Sequence, residues 1–128
     1  MTKLDIDINS IPHYENFADI PDEYVGPSYI VNEFAVFFTK HGNLHREDGP
    51  GGIYFFPMEI SGNNPLWSTP EIIQFVYYQN DKKHRLDGPA IIKGKYSAFY
   101  IEGKVVFEKN YWNHPLVIEH RLNKIIKL

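Results

Sequence analysis

The sequence predicts a mostly β (α+β) domain: an antiparallel, twisted sheet of repeated β-hairpins, with a C-terminal helix and an acidic N-terminal arm. Three observations predict it. Aromatic residues make up 16% of the 128 positions, and Tyr and Phe favour strands, where each ring removes a large area from water. Nine Gly and nine Pro are scattered along the chain, the punctuation of short strands and many turns. The hexapeptide His45-Arg46-Glu47-Asp48-Gly49-Pro50 returns as His84-Arg85-Leu86-Asp87-Gly88-Pro89, 39 residues later at every matched position. Five identities in six mark an internal repeat.

The length suits a single domain, residues 1–128, with enough chain to bury a core unaided. The absence of cysteine excludes disulfides, thiolate metal sites and a cysteine nucleophile. A net charge of −3 argues against bulk polyanion binding. The first residues turn acidic at once, so no export signal is expected. No apolar run approaches the roughly 20 residues that a membrane-spanning helix needs.

Residues 1–33 hold seven acids (Asp5, Asp7, Glu15, Asp19, Asp22, Glu23, Glu33) and one base, Lys3, for a net −6; residues 34–128 carry +3. The expectation is an acidic arm lying on its own basic body, with an acidic tail offered to a basic partner as the alternative. Leu4, Ile6 and Ile8 alternate with acids and predict a short strand. Residues 9–28 read as ordered loop, with one helical turn around 14–20.

Three aromatic or β-branched runs follow, at 34–39, 72–78 and 97–101. Each ends in a pair suited to positive φ: His41-Gly42, Asn80-Asp81 and Glu102-Gly103. Three hairpins in a meander are predicted over residues 34–109. Asp-Gly-Pro is not itself the hairpin turn, because Pro50 and Pro89 lack the N–H that would close it. It is expected to kink the return arm, with Arg46 and Arg85 reaching the carboxylates of Asp48 and Asp87. The first repeat interval is longer than the second by 17 residues. The excess defines an inserted loop at 57–70, where Met58, Ile60, Leu66 and Trp67 stand amid Gly, Asn and Pro. Trp and Met in a polar loop are favoured at interfaces, and these four are the candidate partner-binding residues.

Over 113–128, Pro115 suits a first helical turn. Leu116, Val117, Ile118, Leu122, Ile125 and Ile126 recur at near-helical spacing, which predicts an amphipathic helix packed on the sheet; an edge strand is the competing expectation.

The paired elements resemble a His-Arg-x-Asp-Gly-Pro-Ala hairpin repeat of uncharacterised proteins from bacteriophages and large DNA viruses, and are loosely similar to MORN repeats. The resemblance covers residues 34–56 and 72–109; Gly51 stands where Ala is usual, and the third copy lacks His-Arg. It implies a viral accessory protein of the host cytoplasm and no catalytic residue.

The expected function is therefore a non-enzymatic interaction module that binds and blocks a host protein, with no cofactor and no metal. The alternative is a nucleic-acid-binding or metal-assisted phosphodiester-processing module using His45, Arg46, Asp48, His84, Arg85 and Asp87. Homo-oligomerisation through open sheet edges is a third expectation.

Overall fold

The computed structural model describes residues 6–56 and 71–126. It is mostly β. Among the described residues eleven strands form: β1 (His13–Tyr14), β2 (Gly26–Ile30), β3 (Ala35–Lys40), β4 (Asn43–Leu44), β5 (Gly52–Phe55), β6 (Ile72–Val76), β7 (Tyr78–Gln79), β8 (Lys82–Lys83), β9 (Ile91–Lys93), β10 (Tyr96–Ile101) and β11 (Lys104–Val106). Helices α1 (Glu108–Tyr111) and α2 (Pro115–Ile126) follow. Nine strands make one sheet in the order β1-β2-β3-β5-β6-β9-β10-β11, with β4 also on β3, while β7 and β8 pair separately. All pairings are antiparallel except β1 with β2, which makes the sheet mixed.

The repeat is geometric as well as textual. Val36 pairs with Ile53, and Phe75 with Ile92, in equivalent registers. The three turn pairs His41-Gly42, Asn80-Asp81 and Glu102-Gly103 all have positive φ at both residues, as a two-residue primed turn requires. The return arms of the first two hairpins are kinked as expected: each pairs at the turn, leaves through Asp-Gly-Pro, and rejoins as β5 or β9.

Alternation along β3 divides the first part of the core. Val36 faces Ile8, Tyr29, Ile53 and Phe55 on one side; Ala35 and Phe37 face Ile20 and Ile30 on the other. The N-terminal segment supplies residues to both faces, which corrects the sequence reading of it. Gly26–Ile30 is a strand, not loop, and it stands next to the sheet edge. Of the strand expected on Leu4, Ile6 and Ile8, Leu4 lies outside the described residues, and Ile8 begins a 3-10 turn, Ile8–Ser10, capped by the Asp7 carboxylate. The expected helical turn is found as Phe17–Asp19. The segment thus lies on the first hairpin, through its buried apolar residues, and strand order carries it to the edge away from β10 and β11.

The C-terminal part has its own cluster of Phe99, Ile101, Tyr111 and Val117. The helix predicted at 113–128 is α2, but its apolar residues do not pack as expected. Val117 is buried and Leu116 half-buried, whereas Ile118, Leu122, Ile125 and Ile126 are exposed, the last two by 66% and 78%. The helix is turned by two anchors, Val117 in the core and Lys124 against Asp87 at 3.6 Å. Those positions are seven apart and share a face, leaving 118, 122 and 125 on another.

Candidate functional site

The site is the pair of His-Arg-x-Asp-Gly-Pro elements, and both copies are built identically. Arg46 Nε donates to Asp48 Oδ1 at 3.0 Å, and Arg85 Nε to Asp87 Oδ1 at 2.8 Å. Each Nη1 donates to the carbonyl of its own proline, Pro50 at 3.3 Å and Pro89 at 3.0 Å. Each guanidinium also lies 4.0 Å from the centroid of a strand aromatic ring, Phe38 or Tyr77. The planar fork of arginine is what allows donation and stacking together. Glycine leaves room for this pose: a Cβ on Gly49 or Gly88 would fall 2.9 Å from the guanidinium carbon, and the arginine would have to shift.

The histidines reach forward to the next hairpin. His45 Nδ1 accepts the N–H of Asn80 at 3.2 Å, and His84 Nδ1 accepts that of Glu102 at 2.9 Å. Both donors are the first residue of the following turn. Backbone bonds repeat the pattern: Arg46 N–H to the Tyr78 carbonyl and Arg85 N–H to that of Tyr100, each at 3.2 Å. An accepting Nδ1 must be unprotonated, so these imidazoles act in their neutral form.

The two elements and α2 enclose an open cleft of about 530 Å³. Arg46, Asp48, His84, Arg85 and Asp87 line it together, joined by His120 and Lys124 from α2. His45 does not; its Nε2 is buried 3.6 Å from Glu47 Oε1. The Arg46 guanidinium holds the Asp48 carboxyl below its usual range. Burial pushes the Asp87 carboxyl up, but Arg85, then Lys124 and His120, bring it below the ordinary value. Burial pushes the His84 imidazole down; Glu102 opposes this and His120 adds to it. The cleft holds three cations (Arg46, Arg85, Lys124) and three carboxylates (Glu47, Asp48, Asp87), so it offers no net field to an anion. Among the described residues no group of three or more His, Asp or Glu is placed to hold a metal ion. Chemically, the arrangement is a fastening between successive hairpins.

The third hairpin has no such element. Phe99 occupies the position of Tyr77, and in place of an arginine it meets Tyr111 at 4.5 Å and Trp112 at 6.1 Å between centroids. The Tyr111 hydroxyl donates to the Arg85 carbonyl at 2.5 Å and accepts the Gly88 N–H at 3.2 Å. Tyr111 is fully buried and closes the repeat at this end, as terminal units of repeat proteins must be closed. At the other end, Asp22 approaches Gly42 so closely that a Cβ there would lie 2.9 Å from its carboxylate.

The sequence reading missed Tyr111, His120 and Lys124. His120 and Lys124 stand four apart on α2, a detectable helical spacing; for Tyr111 the only signal was the loss of His-Arg from the third copy. Met58, Ile60, Leu66 and Trp67 lie outside the described residues. No family model, curated protein or solved structure matches the chain.

Proposed function

We propose that this chain is a non-enzymatic interaction module, in which capped hairpin repeats serve as scaffold and the outward face of α2 meets another protein. One observation carries the reading: Ile118, Leu122, Ile125 and Ile126 form an exposed apolar stripe on an ordered, anchored helix. Spacings of four and three residues (118, 122, 125) are those by which a helix presents anchors to a groove. Helical spacing sets the exposed Arg121 on one border of the stripe and the exposed Glu119 on the other, so the complementary surface is apolar at its centre, with an acidic group on the Arg121 side. The resemblance of the repeated element to viral proteins favours a host protein as that partner. The loop at 57–70 remains a candidate second anchor through Trp67.

The motif residues support this division of labour. Both guanidinium groups are engaged within their own return arms and both imidazoles on the turn that follows, which disfavours the nucleic-acid and phosphodiester alternative.

The test is affinity purification with the wild-type chain, Leu122→Asp and Trp67→Ala, followed by reconstitution with each purified protein so identified. A partner lost with Leu122→Asp, while the variant keeps its fold, supports the reading. Capture unchanged by both variants refutes it.

A further inference from the structure

The surface complementary to α2 is present on this same chain. Residues 1–33 carry −6, and residues 72–128 hold ten Lys/Arg against five Asp/Glu, a net +5. Strand order converts this split into distance. The strands of the acidic segment, β1 and β2, end the sheet on one side; β10 and β11, with α2 packed on them, end it on the other. Eight strands in sequence separate the two ends by roughly 30 Å at the usual interstrand spacing.

Both ends expose apolar side chains. The basic end has the α2 stripe, and the acidic end has Val25 and Val31, 58% and 38% exposed, at either end of β2. Glu23 stands two residues before Val25 and Glu33 two residues after Val31, so acids bracket this apolar pair in the sequence. The stripe from Ile118 to Ile126 spans about 12 Å and fits within the six steps from Val25 to Val31, about 20 Å.

We propose that the chain associates with a second copy of itself head to tail, with α2 of one copy seated on the acidic β1–β2 edge of the next. The proposal rests on the exposed α2 stripe of the interaction reading and names a partner for it. The two surfaces differ, so the contact is heterologous: a pair of copies keeps one acidic edge and one helix free, and assembly continues until a ring closes or a filament grows. Because the same stripe is used, self-association and capture of another protein exclude one another.

A mixing experiment tests this. Leu122→Asp disables the helix end, with Ile125→Asp as a second variant should the first not fold. Glu23→Lys combined with Val25→Lys disables the acidic end. Circular dichroism confirms the fold of each, and light scattering after size exclusion gives the mass. The wild type is expected to rise above the 15.0 kDa chain mass as concentration increases, and to fall back at high salt. Each variant alone is expected at the chain mass. Their equimolar mixture is expected at twice that mass and no more, because one intact contact remains. A wild type monomeric at every concentration and salt overturns the proposal. So does a mixture of unpaired monomers, or an acidic-end variant that still dimerises, which would mean helix on helix. Binding of the wild type to anionic phospholipid vesicles without self-association overturns it too. Should the wild type stay monomeric while Leu122→Asp still abolishes capture of another protein, the self-contact fails and the interaction reading stands.

Discussion

His84 Nδ1 accepts the backbone N–H of Glu102 at 2.9 Å, so a ring at the head of one motif clamps the turn of the next hairpin. The bond needs a neutral imidazole, and burial, with His120 adding to it, holds the His84 pKa below its ordinary value despite the Glu102 carboxylate. The unfolded chain therefore binds the proton more readily than the folded one. This contribution is complete above the unfolded histidine value, about 6.5, and is lost as pH falls through the lower folded value. The thermal midpoint should drop between neutral pH and pH ~5. In His84→Gln, whose amide oxygen can still accept, the drop should be smaller. An equal drop in both proteins would remove His84 from the account.

Gly88→Ala places a methyl where the Arg85 guanidinium sits. The arginine must move, giving up its stack on Tyr77 and its bonds to Asp87 and Pro89. A destabilisation of about 1–3 kcal/mol is expected, read from the urea midpoint at unchanged slope. Gly49→Ala should behave alike, since its neighbour is Arg46 in the same pose.

Tyr111→Phe keeps the ring against Phe99 and removes only the hydroxyl. That leaves the Gly88 N–H and the Arg85 carbonyl without this partner in a buried setting, a cost of about 1–3 kcal/mol. Chemical denaturation measures it. A loss near zero would show that the hydroxyl bonds are not needed to close the repeat.

On α2, opposite outcomes are expected from one kind of change. Val117→Asp buries a lone charge in the Phe99–Ile101–Tyr111 cluster and should abolish cooperative unfolding. Leu122→Asp, on the exposed stripe, should shift stability by no more than about 0.5 kcal/mol. Thermal scans of the two variants decide the matter.

Much of this was legible in the residues. Duplicate hexapeptides and turn pairs with a taste for positive φ fixed the hairpins, and the missing N–H of Pro50 and Pro89 placed the kink in the return arm. The pairing of Arg with Asp two positions on followed from reach alone. The forward bonds of His45 and His84 were not legible, because their acceptors meet backbone N–H groups, which carry no residue identity. The rotation of α2 was hidden for another reason. Spacing shows that apolar residues share a face, but the anchors Val117 and Lys124 decide which face turns inward. The place of Gly26–Ile30 in the sheet was obscured by Gly26 and Pro27, which read as loop and are tolerated beside a short edge strand.

The fastening between hairpins runs one way only: each motif grips the turn that follows it, and nothing in it depends on how many units came before. A further 39-residue unit spliced between the first and second would find the same grip on either side, with Asp22 and Tyr111 still at the extremities. The architecture is thus an adjustable ruler, in which gene duplication changes the gap between the acidic edge and α2 in fixed increments without redesigning either terminus.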